Sequence, residues 1–550
     1  MRIVSVKKLT EKILKNKEDI ILFLLLLCIG IKYVYDIGSY LDIELQDETL
    51  YLRNGTFLLR KGLPSSQWAP VYSIWYFLLS AFNTDSITLY FFNFQILTLI
   101  LPLLLYAFLR TKHVTQIIAF LIGFFFLISS GNILVHPKVT HFALLLIACS
   151  FFLFSLTKKY LFRWSFIIIG SLLSAYVRPE LFISFIFITV FFLYRVIKTK
   201  SFLIHRWNIL KISLIALAVI IIIGNPIGVG GRAFGAFKQH FSLNWVAWNH
   251  SELNPWRDCD IIIQDNFGNI SNVPEALFSN TELFIKHLCT NVSIIFSEFS
   301  KLTSYTVFTV DNYRLEYIGL YLLLFITSIL TLVDLYRSKT PILQLLKNNF
   351  NDSKFIIVTS IFYLIPIFSS IIIIYPRQHY LLFLLFFVII IFIPLIKVDL
   401  TKSILERNLT SIALVLFAIL LLFVTPDPKK FYSNYSQNNI ETVKFLRSLN
   451  IKTKVNMLED NGGYYTYLTP NYSWITSSEK IMDFNKFLEK HEINLIILSG
   501  KLLGNKKFNS DSTFKKFLVN YSDFGFSKYT IPNSGNELII KNDLHYSISR

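Results

Sequence analysis

Long apolar runs separated by short polar breaks dominate the chain. Runs near 20–38, 86–109, 114–131, 139–156, 164–177, 181–197, 209–225, 313–333, 355–375, 380–396 and 409–424 give eleven expected membrane spans. Each approaches the roughly 17–25 residues that a helix needs to cross about 30 Å of hydrocarbon. Trp68 to Phe82 is apolar too, but short and aromatic. It is predicted to be a helix lying at the interface, where Trp and Tyr prefer to sit. The fold class expected is a polytopic α-helical membrane protein of about eleven spans with a small C-terminal α/β domain.

Charge bias orients the spans. With the N-terminus inside, the inner turns hold Arg110/Lys112, Lys158/Lys159/Arg163, Arg195 to Lys211, Arg337/Lys339/Lys347 and Lys397/Lys402/Arg407. Lys and Arg accumulate in short cytoplasmic loops. Counting Trp68 to Phe82 as a span would invert every later loop and spoil this pattern. The first run has a basic lead (Lys7, Lys8, Lys12, Lys15, Lys17) but no A-x-A-like cleavage site, so a retained helix is expected.

Three larger pieces then fall on the outer face: a first loop over about 37–86, a Trp-rich loop over 226–312, and a tail over 426–550. "TPDPKK" (Thr425 to Lys430) separates the tail from the membrane module, residues 1–425. In the tail, "NIETVKFLRSLN" and "IMDFNKFLEKHEI" have helical spacing, while "KVNMLE", "NLIILS", "KYTIP" and "ELIIK" read as strands. Such alternation favours an α/β layer domain.

Composition agrees with this picture. Of 550 residues 53% are hydrophobic and 16% charged, and mean hydropathy is +0.52. The net charge of +18 follows from topology, so no nucleic-acid partner is expected, and the chain is assigned to the cell (inner) membrane with its tail extracytoplasmic. Cys28 and Cys149 sit inside apolar runs. Cys259 and Cys289 share the outer loop, where a disulfide could persist. No Cys/His spacing suggests a metal.

Several polar residues fall together on the outer side: Asp47 and Glu48, "HPK" (His136 to Lys138), "YVRPEL" (Tyr176 to Leu181) and "YPRQHY" (Tyr375 to Tyr380). Ionisable groups at membrane depth are expensive and usually line a cavity or pathway.

The acidic pair just after the first span, followed by Tyr51 and then "WAPVYS" (Trp68 to Ser73, with Tyr72), resembles the first outer loop of GT-C glycosyltransferases. The nearest relatives in pattern are the protein O-mannosyltransferases and the lipid A aminoarabinose transferase. The resemblance runs loosely over about residues 20–200, and its motifs are short. It implies inverting transfer of a sugar from a polyprenyl-phosphate-linked donor to a glycan, lipid or protein of the cell envelope. It places Asp47 as the general base, with the adjacent Glu48 also catalytic, as its helper or its replacement. A phosphate leaving group suits the planar donor fork of Arg, which makes Arg178 and Arg377 candidates. Arg178 could equally form an ion pair with Glu180. Arg377 with Tyr380 resembles a late-span "RxxY" pattern of the family, with His379 a neighbouring polar residue.

The second outer loop departs from the family. Several relatives carry there an acid that helps to hold a divalent metal. Here "ILVHPKVTH" offers His136, Lys138 and His141 and no carboxylate, which disfavours a metal. Lys138 either supplies charge beside the phosphate or is simply solvated. The stretch Asn244 to Asp260, dense in Trp, suits stacking on sugar rings or anchoring at the interface. Two other readings share the architecture: a surface-polysaccharide polymerase or ligase, and a lipid-linked sugar flippase that breaks no bond. The lack of an internal repeat weakens the second.

Overall fold

The computed structural model describes residues 17–133, 137–158, 160–199, 202–226, 231–304, 342–396 and 436–544. In chain order its main helices are α1 (Lys17–Val34), α2 (Asp47–Thr56), α3 (Pro70–Ser80), α4 (Ser86–Thr111), α5 (Gln116–Ile128), α6 (Val139–Leu156), α7 (Tyr160–Ala175) and α8 (Leu181–Lys198). They continue with α9 (Phe202–Ile223), α10 (Arg232–Asn249), α11 (Cys259–Phe267), α12 (Val273–Ser279), α13 (Thr281–Ser304), α14 (Ile342–Ile373) and α15 (Gln378–Ile391).

Among the described residues, seven helices are long and apolar enough to cross a membrane: α1, α4, α6, α8, α9, α14 and α15. Two further expected spans, 114–131 and 164–177, form shorter apolar helices, Gln116–Ile128 and Phe162–Ala175. The first stops because Ser129 turns to extended backbone (φ −58°, ψ 139°). The expected spans 313–333 and 409–424, His136 and the "TPDPKK" break lie outside the described residues. Within Trp68 to Phe82 only 11 residues are helical, opened by Pro70; Pro suits a first helical position because its missing N–H would be unpaired there anyway.

The chain divides into two compact units. One comprises Met1–Tyr35, Leu63–Tyr72 and Gln95–Pro428; the other comprises Asp36–Gly62, Ser73–Phe94 and Lys429–Arg550. Residues 36–62 and 73–94 therefore group with the tail, whereas 63–72 group with the apolar helices.

Within the first unit, α6 and α7 approach closely: a Cβ on Gly170 would fall on Ser150. Phe154 stacks on Phe355 of α14 with ring centroids 4.4 Å apart. Arg110 pairs with Asp19 at 2.5 Å, so two charges that would be costly in lipid neutralise each other. The expected loop 226–312 is largely helical. Helices α10 to α13 enclose a core of Phe237, Phe241, Ile262, Ile263, Phe267, Ala276 and Phe284. The buried positions Phe237, His240, Phe241 and Asn244 recur at helical spacing along one face of α10. Asn244 to Asn249, expected in a loop, therefore lie on a helix. Cys259 is buried, Cys289 is exposed, and both are free thiols.

The second unit holds α16 (Asn438–Ser448), β1 (Val455–Glu459), β2 (Tyr472–Thr476), α17 (Phe484–Lys490), β3 (Leu495–Leu498), α18 (Ser512–Val519), β4 (Phe526–Thr530) and β5 (Glu537–Lys541). The sheet order is β2-β1-β3-β5-β4. The first three strands are parallel, and β5 runs antiparallel to both β3 and β4. Every residue of β1 and β3 is buried, as expected for parallel strands covered on both faces. Phe484, Phe487, Phe508, Phe514 and Phe517 cover one side.

Within the second unit, Asp36–Gly62 and Ser73–Phe94 are tied to the sheet domain by polar contacts. The Asp42 carboxylate accepts the backbone N–H groups of Asn439 and Ile440 at 2.8 and 2.9 Å. It thereby caps α16, whose first N–H groups have no partner inside the helix. Burial raises the Asp42 pKa although these hydrogen bonds oppose the shift. Arg447 pairs with Asp85 at 2.6 Å. A Cβ on Gly463 would sit 2.3 Å from the Leu45 carbonyl oxygen, so only glycine allows this approach.

Candidate functional site

In the second unit, α2 begins at Asp47. Its two adjacent acids separate completely. Glu48 is 1% exposed and its Oε1 accepts from the Tyr76 phenol at 2.5 Å and from Asn93 Nδ2 at 3.3 Å. Asn93 Nδ2 also donates to the Tyr76 oxygen at 2.9 Å, while Trp75 Nε1 donates to Asn93 Oδ1 at 2.8 Å. The Glu48 N–H donates to Glu44 Oε2 at 3.3 Å. Asp47 is exposed and makes no hydrogen bond or ion pair among the described residues. It stays in the first turn, where a helix favours negative charge.

Tyr51, one turn on, is buried. Gly55 lets α2 reach α3, since a Cβ there would lie 2.4 Å from Tyr76 Cβ and 2.7 Å from the Ser73 oxygen. The Arg53 guanidinium lies 3.8 Å over the Tyr465 ring, which stacks on Trp474 at 5.6 Å. Tyr467 donates to the Glu44 carbonyl at 3.1 Å; burial first, then Glu44, Glu48 and Asp42, push its pKa well up. Tyr76, Asn93, Glu44 and Tyr467 were not singled out from sequence. Asn93, a polar residue inside an apolar run, was the one legible signal.

The first unit holds a basic cluster. Arg178 donates to Glu180 Oε1 through Nε at 2.8 Å and Nη2 at 2.6 Å, and its guanidinium lies 4.4 Å over the Tyr380 ring. The ion-pair alternative for Arg178 is thus realised, with Tyr380 brought to the same group. Burial works against the charge on Arg178, but Glu180 and Tyr380 more than restore it and raise its pKa. Arg377 stands in extended backbone just before α15, with no capping hydrogen bond from its side chain. Its guanidinium makes no hydrogen bond or ion pair among the described residues and lies 5.4 Å over Trp256. His379 is buried and packs on Tyr380 at 4.2 Å.

His240 of α10 joins this group. Its ring stacks on Tyr375 at 5.4 Å and meets Trp256 edge-on at 5.3 Å. Burial, with Arg377 and His287 behind it, pushes its pKa down to about 3, so the ring is neutral at pH 7.

The turn that carries Arg377 is held from α13. Helix α14 ends with carbonyls that have no helical partner. His287 Nε2 meets the Ile373 oxygen at 3.0 Å, and Asn291 Nδ2 donates to Ile372 at 2.7 Å and Ile374 at 3.3 Å. Asn244 Nδ2 bridges His287 Nδ1 and Asn291 Oδ1, both at 2.9 Å. The Asn244 and Ile373 contacts suit a neutral ring with its proton on Nε2, which makes the 3.1 Å approach of Asn291 Nδ2 to Nε2 a contact rather than a hydrogen bond.

The remaining candidates have partners of their own. Lys138 is buried rather than solvated. It donates to the Asn132 carbonyl at 2.5 Å and lies 3.2 Å from His141 Nε2. Trp68 is covered by the Arg232 guanidinium at 4.3 Å. Tyr72 is buried against Phe142 at 5.2 Å. Among the described residues, no group of three or more His, Cys, Asp or Glu is placed to share a metal ion.

The chain matches no protein-family model and no curated protein.

Proposed function

We propose that the chain is an integral-membrane glycosyltransferase of the GT-C type, with eleven spans, a cytoplasmic N-terminus and an outer tail. It transfers a sugar from a polyprenyl-phosphate donor to an envelope acceptor. An acceptor hydroxyl attacks the anomeric carbon, the carbon–oxygen bond to phosphate breaks, and the phosphate departs with the electron pair. The hydroxyl proton passes to Asp47, and the anomeric configuration inverts. A general base must reach the proton that it abstracts.

The observation that carries this reading is the division between Asp47 and Glu48. Asp47 is exposed and free to meet an acceptor. Glu48 is held by Tyr76 and Asn93 and fixes the helix start that presents Asp47. Arg377, without an ion-pair partner among the described residues, and Arg178, paired with Glu180, support a role in holding the donor phosphate.

The test is release of polyprenyl phosphate, with sugar appearing in product, from a radiolabelled donor by protein in membranes. Asp47→Asn should abolish both while membrane insertion is unchanged. Full activity in that variant overturns the base assignment. Movement of intact donor across the bilayer without its cleavage overturns the enzyme reading in favour of a transporter.

A further inference from the structure

His240 presents an arrangement that the proposed transfer does not use. The ring is 5% exposed, and among the described residues neither of its nitrogens has a hydrogen-bond partner; Nδ1 is completely enclosed. A buried polar atom left without a partner costs about 1–3 kcal/mol. Two flat rings fix its orientation, Tyr375 face-on and Trp256 edge-on. Trp256 is itself 43% exposed and carries the Arg377 guanidinium over its ring.

The chemistry of the group narrows its ligand. With Nδ1 enclosed, Nε2 is the nitrogen that can meet a ligand, and it exchanges a single hydrogen bond, as donor or as acceptor, which a hydroxyl can match. Exposed aromatic surface beside it suits the apolar face of a sugar ring. A guanidinium without a carboxylate partner matches a phosphate. The rings of Tyr375 and Trp256 pack on His240, and Arg377 and His287 act on it by charge; the acid nearest this group, Glu298, bears on Tyr375 and accepts from Gln378 at 3.4 Å.

We infer that His240, Trp256 and Arg377 form a recognition subsite for a glycosyl phosphate, with Arg377 on the phosphate and His240 on a sugar hydroxyl. His240 is a recognition residue and takes no part in proton transfer. This inference rests on the glycosyltransferase reading, because it names the part of the donor that distinguishes a charged carrier from an empty one.

The test compares two lipids on the full-length protein in nanodiscs: polyprenyl phosphate, and the same lipid carrying a hexose. Binding is read directly, without turnover. His240→Ala should weaken the glycosylated lipid at least tenfold and leave the bare lipid phosphate unchanged, and His240→Asn should recover part of the loss. Arg377→Gln should weaken both lipids. Inorganic phosphate and hexose 1-phosphate as competitors separate a free-phosphate site from a lipid-borne one. Equal weakening of both lipids by His240→Ala, or of neither, overturns the inference while leaving the transferase reading intact. Failure of the wild type to bind either lipid overturns both.

Discussion

The Tyr76 phenol donates to Glu48 Oε1 at 2.5 Å, and through it α3 holds the first turn of α2. Asp47, the preceding residue, points to solvent. The adjacent carboxylates therefore have different work, one internal and one external.

Stability and activity should separate at this pair. Tyr76→Phe removes a hydrogen bond to a buried carboxylate and should lower stability by about 1.5–3 kcal/mol. Asp47→Asn should leave stability within about 0.5 kcal/mol, as for exposed changes elsewhere. Thermal unfolding of the purified variants in detergent measures both. Equal losses would show that Asp47 is structural.

Gly55→Ala should destabilise the same unit by overpacking. Its Cβ would lie 2.4 Å from Tyr76 Cβ, and extra carbons in a tight contact typically cost about 1–3 kcal/mol. A lowered unfolding temperature together with reduced transfer is expected. Gly500→Ala, with nothing within 4 Å, is the control that should leave both unchanged.

His287 makes stability depend on pH. Burial pushes its pKa down to about 4 in the folded protein, against about 6.5 in the unfolded chain. The unfolded chain binds more protons between these values, so the contribution is complete above about pH 6.5 and falls as pH drops toward 4. His240 acts in the same direction. Unfolding temperature should fall over this window in the wild type and fall less in His287→Gln.

Asp511 gives a second, more acidic limit. It pairs with the buried Lys480 at 2.7 Å and accepts the Phe484 and Thr513 N–H groups at 2.9 and 2.8 Å. Although burial opposes the charge, Lys480 and Thr513 hold its pKa well below the carboxylate range. Its contribution is present above the unfolded value near 3.9 and is lost as pH falls below it. Asp511→Ala strands a buried lysine and should cost roughly 3–5 kcal/mol at pH 7. Chemical denaturation of the full chain checks this.

Periodicity alone made the membrane helices legible, because crossing hydrocarbon demands length and apolarity that few other structures need. It also located β1, β3, β4 and β5, but it missed β2, "YSWIT". That strand lies at the sheet edge with most of its side chains partly exposed, so it lacks a continuous apolar run. The segment 226–312 reads as a loop in sequence because Trp, Asn and Gly mask its period. Its helices are amphipathic around a local phenylalanine core.

The sequence by itself determined the apolar helices, the α/β character of the tail and the polar residues worth watching. Each of those depends on local pattern. Only the tertiary structure decided that Glu48 is buried and Asp47 free, that Arg178 pairs with Glu180, and that Lys138 is internal. It alone brought His240 to Tyr375 and Trp256. Those outcomes depend on which distant donors or rings reach a side chain, as Tyr76 and Asn93 reach Glu48 across 28 and 45 positions of sequence. Local pattern carries no record of such contacts, and desolvation and hydrogen bonding are settled only when the chain has closed around them.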